Sequence, residues 1–200
     1  AGFQVFDISK PAEPREIAFF DLSGGPASQG VHYVSFMDGR YAHITTGAPD
    51  FEPKHPKDHQ FYMIVDLANP SKPTEVGRWW MPGQRKGDKD ELPPRHVEFD
   101  FAYRPHHTLS YPERPDRAYI GYIDGGIVIL DISDKARPKL ISRLDYHPPF
   151  PGFTHTVLPL FDRNLLVVTD EATGDHGLDW PKRYWMVDAR VESNPVMISS

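Results

Sequence analysis

Three histidines recur in one local setting: Val31-His32-Tyr33-Val34, His106-His107-Thr108-Leu109 and Thr154-His155-Thr156-Val157. In each, a histidine stands two residues before a branched aliphatic residue. Neutral imidazole is a ligand for Zn, Cu, Fe and Ni, whereas Ca and Mg prefer oxygen donors. Three imidazoles on one ion would leave coordination positions open for water, oxygen or substrate. His32, His107 and His155 are therefore the candidate metal ligands, with Fe(II) or Cu expected and Zn possible by donor type. Glu98, Asp170 and Glu171 are the carboxylates expected to orient the rings from behind. The same pattern has a structural reading of equal weight, because repeats copy framework residues too and a histidine can bridge strands through its ring nitrogens. Strand alternation would turn His106 away from His107, making it a packing or rim residue. His43, on a second strand, and His96, in a connection, are expected to be structural.

What must position such a set is a repeat. An apolar run, an Asp and a Pro seven residues later occur four times, at Asp7/Pro14, Asp66/Pro73, Asp131/Pro138 and Asp188/Pro195. The Asp positions are 59, 65 and 57 residues apart, a period near 60. Each run, such as Ile127-Val128-Ile129-Leu130, reads as a strand buried on both faces. The Asp opens a turn by accepting from backbone amides ahead of it, and the Pro fixes the exit. A fourth strand follows, over 15–21, 75–80 and 139–144. Two strands precede each later run, over 31–37 and 40–46, 107–111 and 118–123, and 154–160 and 164–169, separated by Asp38-Gly39, Pro115-Asp116 and Asp162-Arg163-Asn164. Four strands per repeat is the pattern of an all-β propeller. The expected blades cover 1–25, 26–83, 84–149 and 150–200 of a single propeller domain. The chain opens in a third strand and stops in a fourth, so a ring of about six to eight blades is expected to be completed by further chain, by self-association or by an additional chain.

On these runs the sequence resembles the LVIVD-repeat family of β-propellers, most closely at Val128-Ile129-Leu130-Asp131-Ile132-Ser133-Asp134 and Phe3-Gln4-Val5-Phe6-Asp7-Ile8-Ser9. That resemblance implies a fold and not an activity. The histidine arrangement is similar to that of carotenoid-cleavage oxygenases, propellers holding ferrous iron on four axial histidines, and of selenium-binding (methanethiol oxidase) propellers. It implies a ligand role for His32, His107 and His155; the fourth histidine is expected in a further blade. If the first strand of each blade is innermost, as in propellers, the three rings converge on the channel.

The rest of the sequence narrows the partners. The net charge of −6 carries no basic stripe, which argues against nucleic acid. No apolar run is long enough to cross a membrane as a helix. The absence of cysteine removes thiolate ligands and nucleophiles without fixing a compartment, cytoplasmic or exported. No nucleophile elbow, Walker loop or dinucleotide fingerprint occurs. The expected function is a metal-dependent oxidoreductase acting on a small-molecule substrate; the alternative is a metal-free scaffold binding a protein or cell-surface partner. Around the site, the insert 48–60 is expected as a polar loop over the channel mouth and 84–91 as a flexible surface excursion. Of Trp79 and Trp80, one ring is expected between blades and the other exposed. The carboxylates of 169–176 are expected in a capped turn or as cation ligands.

Overall fold

The computed structural model describes residues 1–174 and 179–200. Every strand pairing in it is antiparallel, and the strands form four sheets in chain order. The first sheet is the hairpin β1 (Gly2–Asp7) and β2 (Arg15–Asp21). The second runs β3 (Val31–Ser35), β4 (Tyr41–Thr46), β5 (Phe61–Asp66) and β6 (Thr74–Trp79). The third holds β7 (Thr108–Tyr111), β8 (Arg114–Tyr122), β9 (Gly126–Asp131) and β10 (Lys139–Leu144). The fourth holds β11 (Thr154–Leu160), β12 (Leu165–Asp170), β13 (Tyr184–Asp188) and β14 (Val196–Ser199). These are the blades of an all-β propeller, three of them four-stranded.

The continuous apolar runs have a direct cause: their alternate residues serve two different cores. On β8 and β9, Ile120, Val128 and Leu130 pack with Tyr62 and Ile64 of β5, whereas Tyr119, Ile127 and Ile129 pack with Val157, Leu166, Val168, Trp185 and Val187 of the last blade. On β5 itself, Phe61, Met63 and Val65 turn the other way, towards Leu22 and the first hairpin. A strand covered on both faces has no polar side to show. Each such side chain contributes about 1.5–3 kcal/mol by leaving water, so blade stacking is the dominant adhesive.

The Asp turn is present in all four repeats. Asp7, Asp66, Asp131 and Asp188 accept, through Oδ1, the amide of the residue two ahead at 2.9, 2.7, 2.9 and 3.0 Å. Pro14, Pro73, Pro138 and Pro195 each stand immediately before the fourth strand.

Three expectations fail in whole or in part. The β7–β8 turn lies at Pro112-Glu113, closing the Tyr111–Arg114 pair, and Pro115-Asp116 belongs to β8. Pro115 is tolerated there because β8 meets β9 only from Arg117 onwards, so its missing N–H is not needed. The 84–91 stretch lies at the surface as expected, with Lys86, Gly87 and Lys89 to Glu91 exposed, but it is pinned: Gln84 is buried, donating to the carbonyls of Asp58 and Gln60, and Asp88 accepts from the Trp80 indole and the Gly83 amide. Of the two tryptophans, Trp79 packs between blades as expected, edge-on to Tyr122, but Trp80 is partly covered by Phe51 and Phe61 rather than exposed. The 48–60 insert is likewise fastened, with the carboxylate of fully buried Asp58 pairing with Arg95 and accepting the Tyr103 amide at 2.8 Å. Of the 169–176 segment, Asp175 and His176 lie outside the described residues.

Candidate metal centre

The first strand of each blade is an edge strand, and β3 contacts β7 as β7 contacts β11. The histidines sit where these strands begin, and at each start the pairing is irregular. Val31 faces Thr46 and Tyr33 faces Thr45, which leaves His32 as the extra residue of a β-bulge. Thr154 faces Asp170 and Thr156 faces Thr169, which leaves His155 in the same role. In the middle blade the His106 amide donates to the Gly121 carbonyl at 2.7 Å, and the His107 carbonyl accepts from the Gly121 amide at 3.1 Å. Two residues thus oppose one, and the bulge re-aims both side chains. That corrects the reading of His106 as turned away from His107: alternation applies only to regular strand, and the two rings lie 5.0 Å apart in one cluster. Gly121 is required for a second reason, since a Cβ there would stand 2.2 Å from the His155 carbonyl oxygen.

One ring nitrogen from each of His106, His107 and His155 lies within 4.8 Å of the others. His32 Nε2 approaches His106 Nε2 at 2.9 Å, bringing a fourth imidazole to the group. Glu171, anchored through its amide to the Phe153 carbonyl, reaches in with Oε2 at 3.2 Å from His106 Nε2 and 3.7 Å from His155 Nε2. Bonds of about 2.1 Å at right angles put neighbouring donors about 3 Å apart, which is the spacing around His106. Thr156 Oγ1 lies 2.6 Å from His155 Nδ1 and 2.9 Å from His107 Nδ1. When this hydroxyl accepts from both Nδ1–H groups, both Nε2 lone pairs are left free. Tyr33 stacks on His107 with centroids 4.0 Å apart, fixing the ring plane.

Electrostatics keeps these rings neutral. Burial, reinforced by His155, His32 and His107, pulls His106 down to about 2, and burial with its imidazole neighbours pulls His107 to about 4. His32 and His155 are lowered by burial as well, with Glu171 opposing. A neutral imidazole offers a lone pair at neutral pH, as a metal requires. His106 Nδ1 is buried without a hydrogen-bond partner among the described residues. The donor set therefore fits a first-row transition metal or zinc better than an oxygen-seeking cation.

The other expected carboxylates are elsewhere. Asp170 accepts from Tyr146 Oη at 2.6 Å and Trp185 Nε1 at 3.0 Å, which commits it to the core of the last blade. Glu98 is exposed, and its side chain meets none of the cluster. His43 bonds Tyr62 Oη at 2.6 Å inside the second blade, away from the site, and His96 stacks on Phe99.

Stacked four-stranded blades with their first strands side by side define a β-propeller. The LVIVD repeat is found in two stretches of the chain, residues 59–80 and 116–145, which cover β5–β6 and most of β8 through β10. No curated protein matches the chain. All four clustered histidines and Glu171 lie outside the matched segments.

Proposed function

We propose that this propeller is a metal-dependent oxidoreductase acting on a small organic substrate, with His32, His106, His107 and His155 as the metal-holding group and Glu171 as the carboxylate that orients or joins them. The observation that carries the reading is the convergence of neutral imidazoles on one another from three blades, set there by bulges. Bulges that aim several titratable rings at one point do little for stacking and much for a site. Fe(II) or Cu would supply oxygen activation and electron transfer; zinc would instead favour hydrolysis by activating water. The chain's own contribution is to keep the rings neutral, to fix their planes through Thr156 and Tyr33, and to hold Glu171 against His106. The test is elemental analysis after anaerobic purification and reconstitution, using the wild type and His106→Ala, His107→Ala and His155→Ala. About one metal per chain, lost in the variants, is expected. A wild type that takes up neither iron, copper nor zinc removes this reading.

One observation favours the alternative scaffold. The His32–His106 contact and the Thr156 bridge are hydrogen bonds that neutral rings can make with no ion present. On that reading the three variants lose stability but no metal.

A further inference from the structure

Arg104 lies two residues before His106 in the irregular segment that leads into β7. Its guanidinium is partly buried and, among the described residues, makes one side-chain hydrogen bond, from Nη1 to Gln60 Oε1. Among the described residues no carboxylate lies within ion-pair distance of it, and no aromatic ring lies beneath it. Arg85 and Arg183, which also lack ion pairs there, each cover a tryptophan. Burying a cation without a counter-charge is costly, and proteins normally complete such a group with an anion. The carboxylates nearest in effect are already engaged: Asp58 with Arg95, Asp124 with the amides of Phe101 and Ala102, and Glu171 with the imidazoles. The Arg104 charge is among the causes that lower His32, His106 and His59.

We infer that Arg104, steadied by Gln60, is the recognition point for a carboxylate on the substrate, so that the molecule presented to the histidine cluster is a small organic monocarboxylate. The planar fork of a guanidinium matches a carboxylate bidentately, and a single positive charge suits a monoanion better than a phosphate dianion. The inference names the substrate class for the metal site proposed above and so rests on that reading.

Acetate is the probe, with isosteric acetamide as the neutral control. Histidine ring NMR signals would be followed in the metal-free and zinc-loaded proteins at constant ionic strength. Acetate should shift the ring signals and acetamide should not. Arg104→Gln should weaken acetate binding about 10- to 100-fold while leaving zinc content unchanged. Arg104→Lys, which keeps the charge and loses the fork, should fall between the two and serves if Arg104→Gln does not fold. Equal binding of acetate by wild type and both variants, or no discrimination from acetamide, overturns the inference. Failure of the metal reading would show separately, as a wild type that takes up no zinc.

Discussion

At the scale of single residues, the proposed centre depends on side chains outside the imidazole cluster itself. Thr156 Oγ1 is the shared partner of His155 and His107, so Thr156→Val keeps the shape of the side chain and removes the group that fixes both rings. Metal affinity should fall about 10- to 100-fold, read by competition with a chelating dye, with the fold retained by circular dichroism. Thr156→Ser should restore most of it. His106 has no hydrogen-bond partner at Nδ1 among the described residues and meets both His32 and Glu171 at Nε2, so it sits at the middle of the group. Its importance was invisible in the sequence because alternation is the default for neighbouring strand residues, and nothing in His106-His107 itself announces a bulge.

At the scale of elements, the site is held by the backbone between blades. Gly121 lets β11 approach β8 so closely that the His155 carbonyl occupies the space of a side chain. Gly121→Ala must therefore push β11 away, and it should reduce metal uptake more than the substitution of a distant strand glycine; metal-to-protein ratio and melting temperature together would test this. Asp124 fastens the 101–103 segment that leads to Arg104 and His106, accepting the amides of Phe101 and Ala102 at 2.8 Å each. Burial pushes its carboxyl up to about 8. The folded protein thus retains a proton that the unfolded chain gives up near pH 4, so the stability contributed by this group falls as pH rises from about 4 to 8. Asp124→Asn keeps an oxygen acceptor without the charge. Its melting temperature should exceed that of the wild type increasingly across that window; a constant difference at every pH would show that Asp124 does not titrate there.

At the scale of the whole molecule, the blades stand or fall together because each shares its core with the next. Ile120 of β8 is fully buried against Tyr62 and Ile64 of the preceding blade. Ile120→Ala should cost about 2–5 kcal/mol, and denaturant unfolding should still be one transition by both tryptophan fluorescence and far-ultraviolet circular dichroism. Separate transitions would mean that neighbouring blades fold independently. The Asp turns act at the same scale by spacing third and fourth strands in every repeat. Asp131→Ala should lower the melting temperature by about 2–4 °C, whereas Asp131→Asn, which can still accept the Ser133 amide, should change it little.

The sequence by itself determined the repeat, its four-stranded unit, the Asp turn and the placement of His32, His107 and His155 at the starts of first strands. Those features are local: a continuous apolar run, a turn acceptor and a proline can be read within a few residues. Only the tertiary structure decided that His106 joins the cluster and that Glu171, rather than Glu98 or Asp170, faces it. It also decided that the 84–91 stretch is pinned and that Arg104 has no carboxylate within ion-pair distance among the described residues. Each of these depends on what a partner segment far along the chain supplies: two residues set against Gly121, a Gln84 reaching under the 48–60 insert, a Tyr146 and Trp185 claiming Asp170. Register between strands and the sharing of hydrogen-bond acceptors are settled by the folded whole, and no stretch of sequence carries both sides of such a contact.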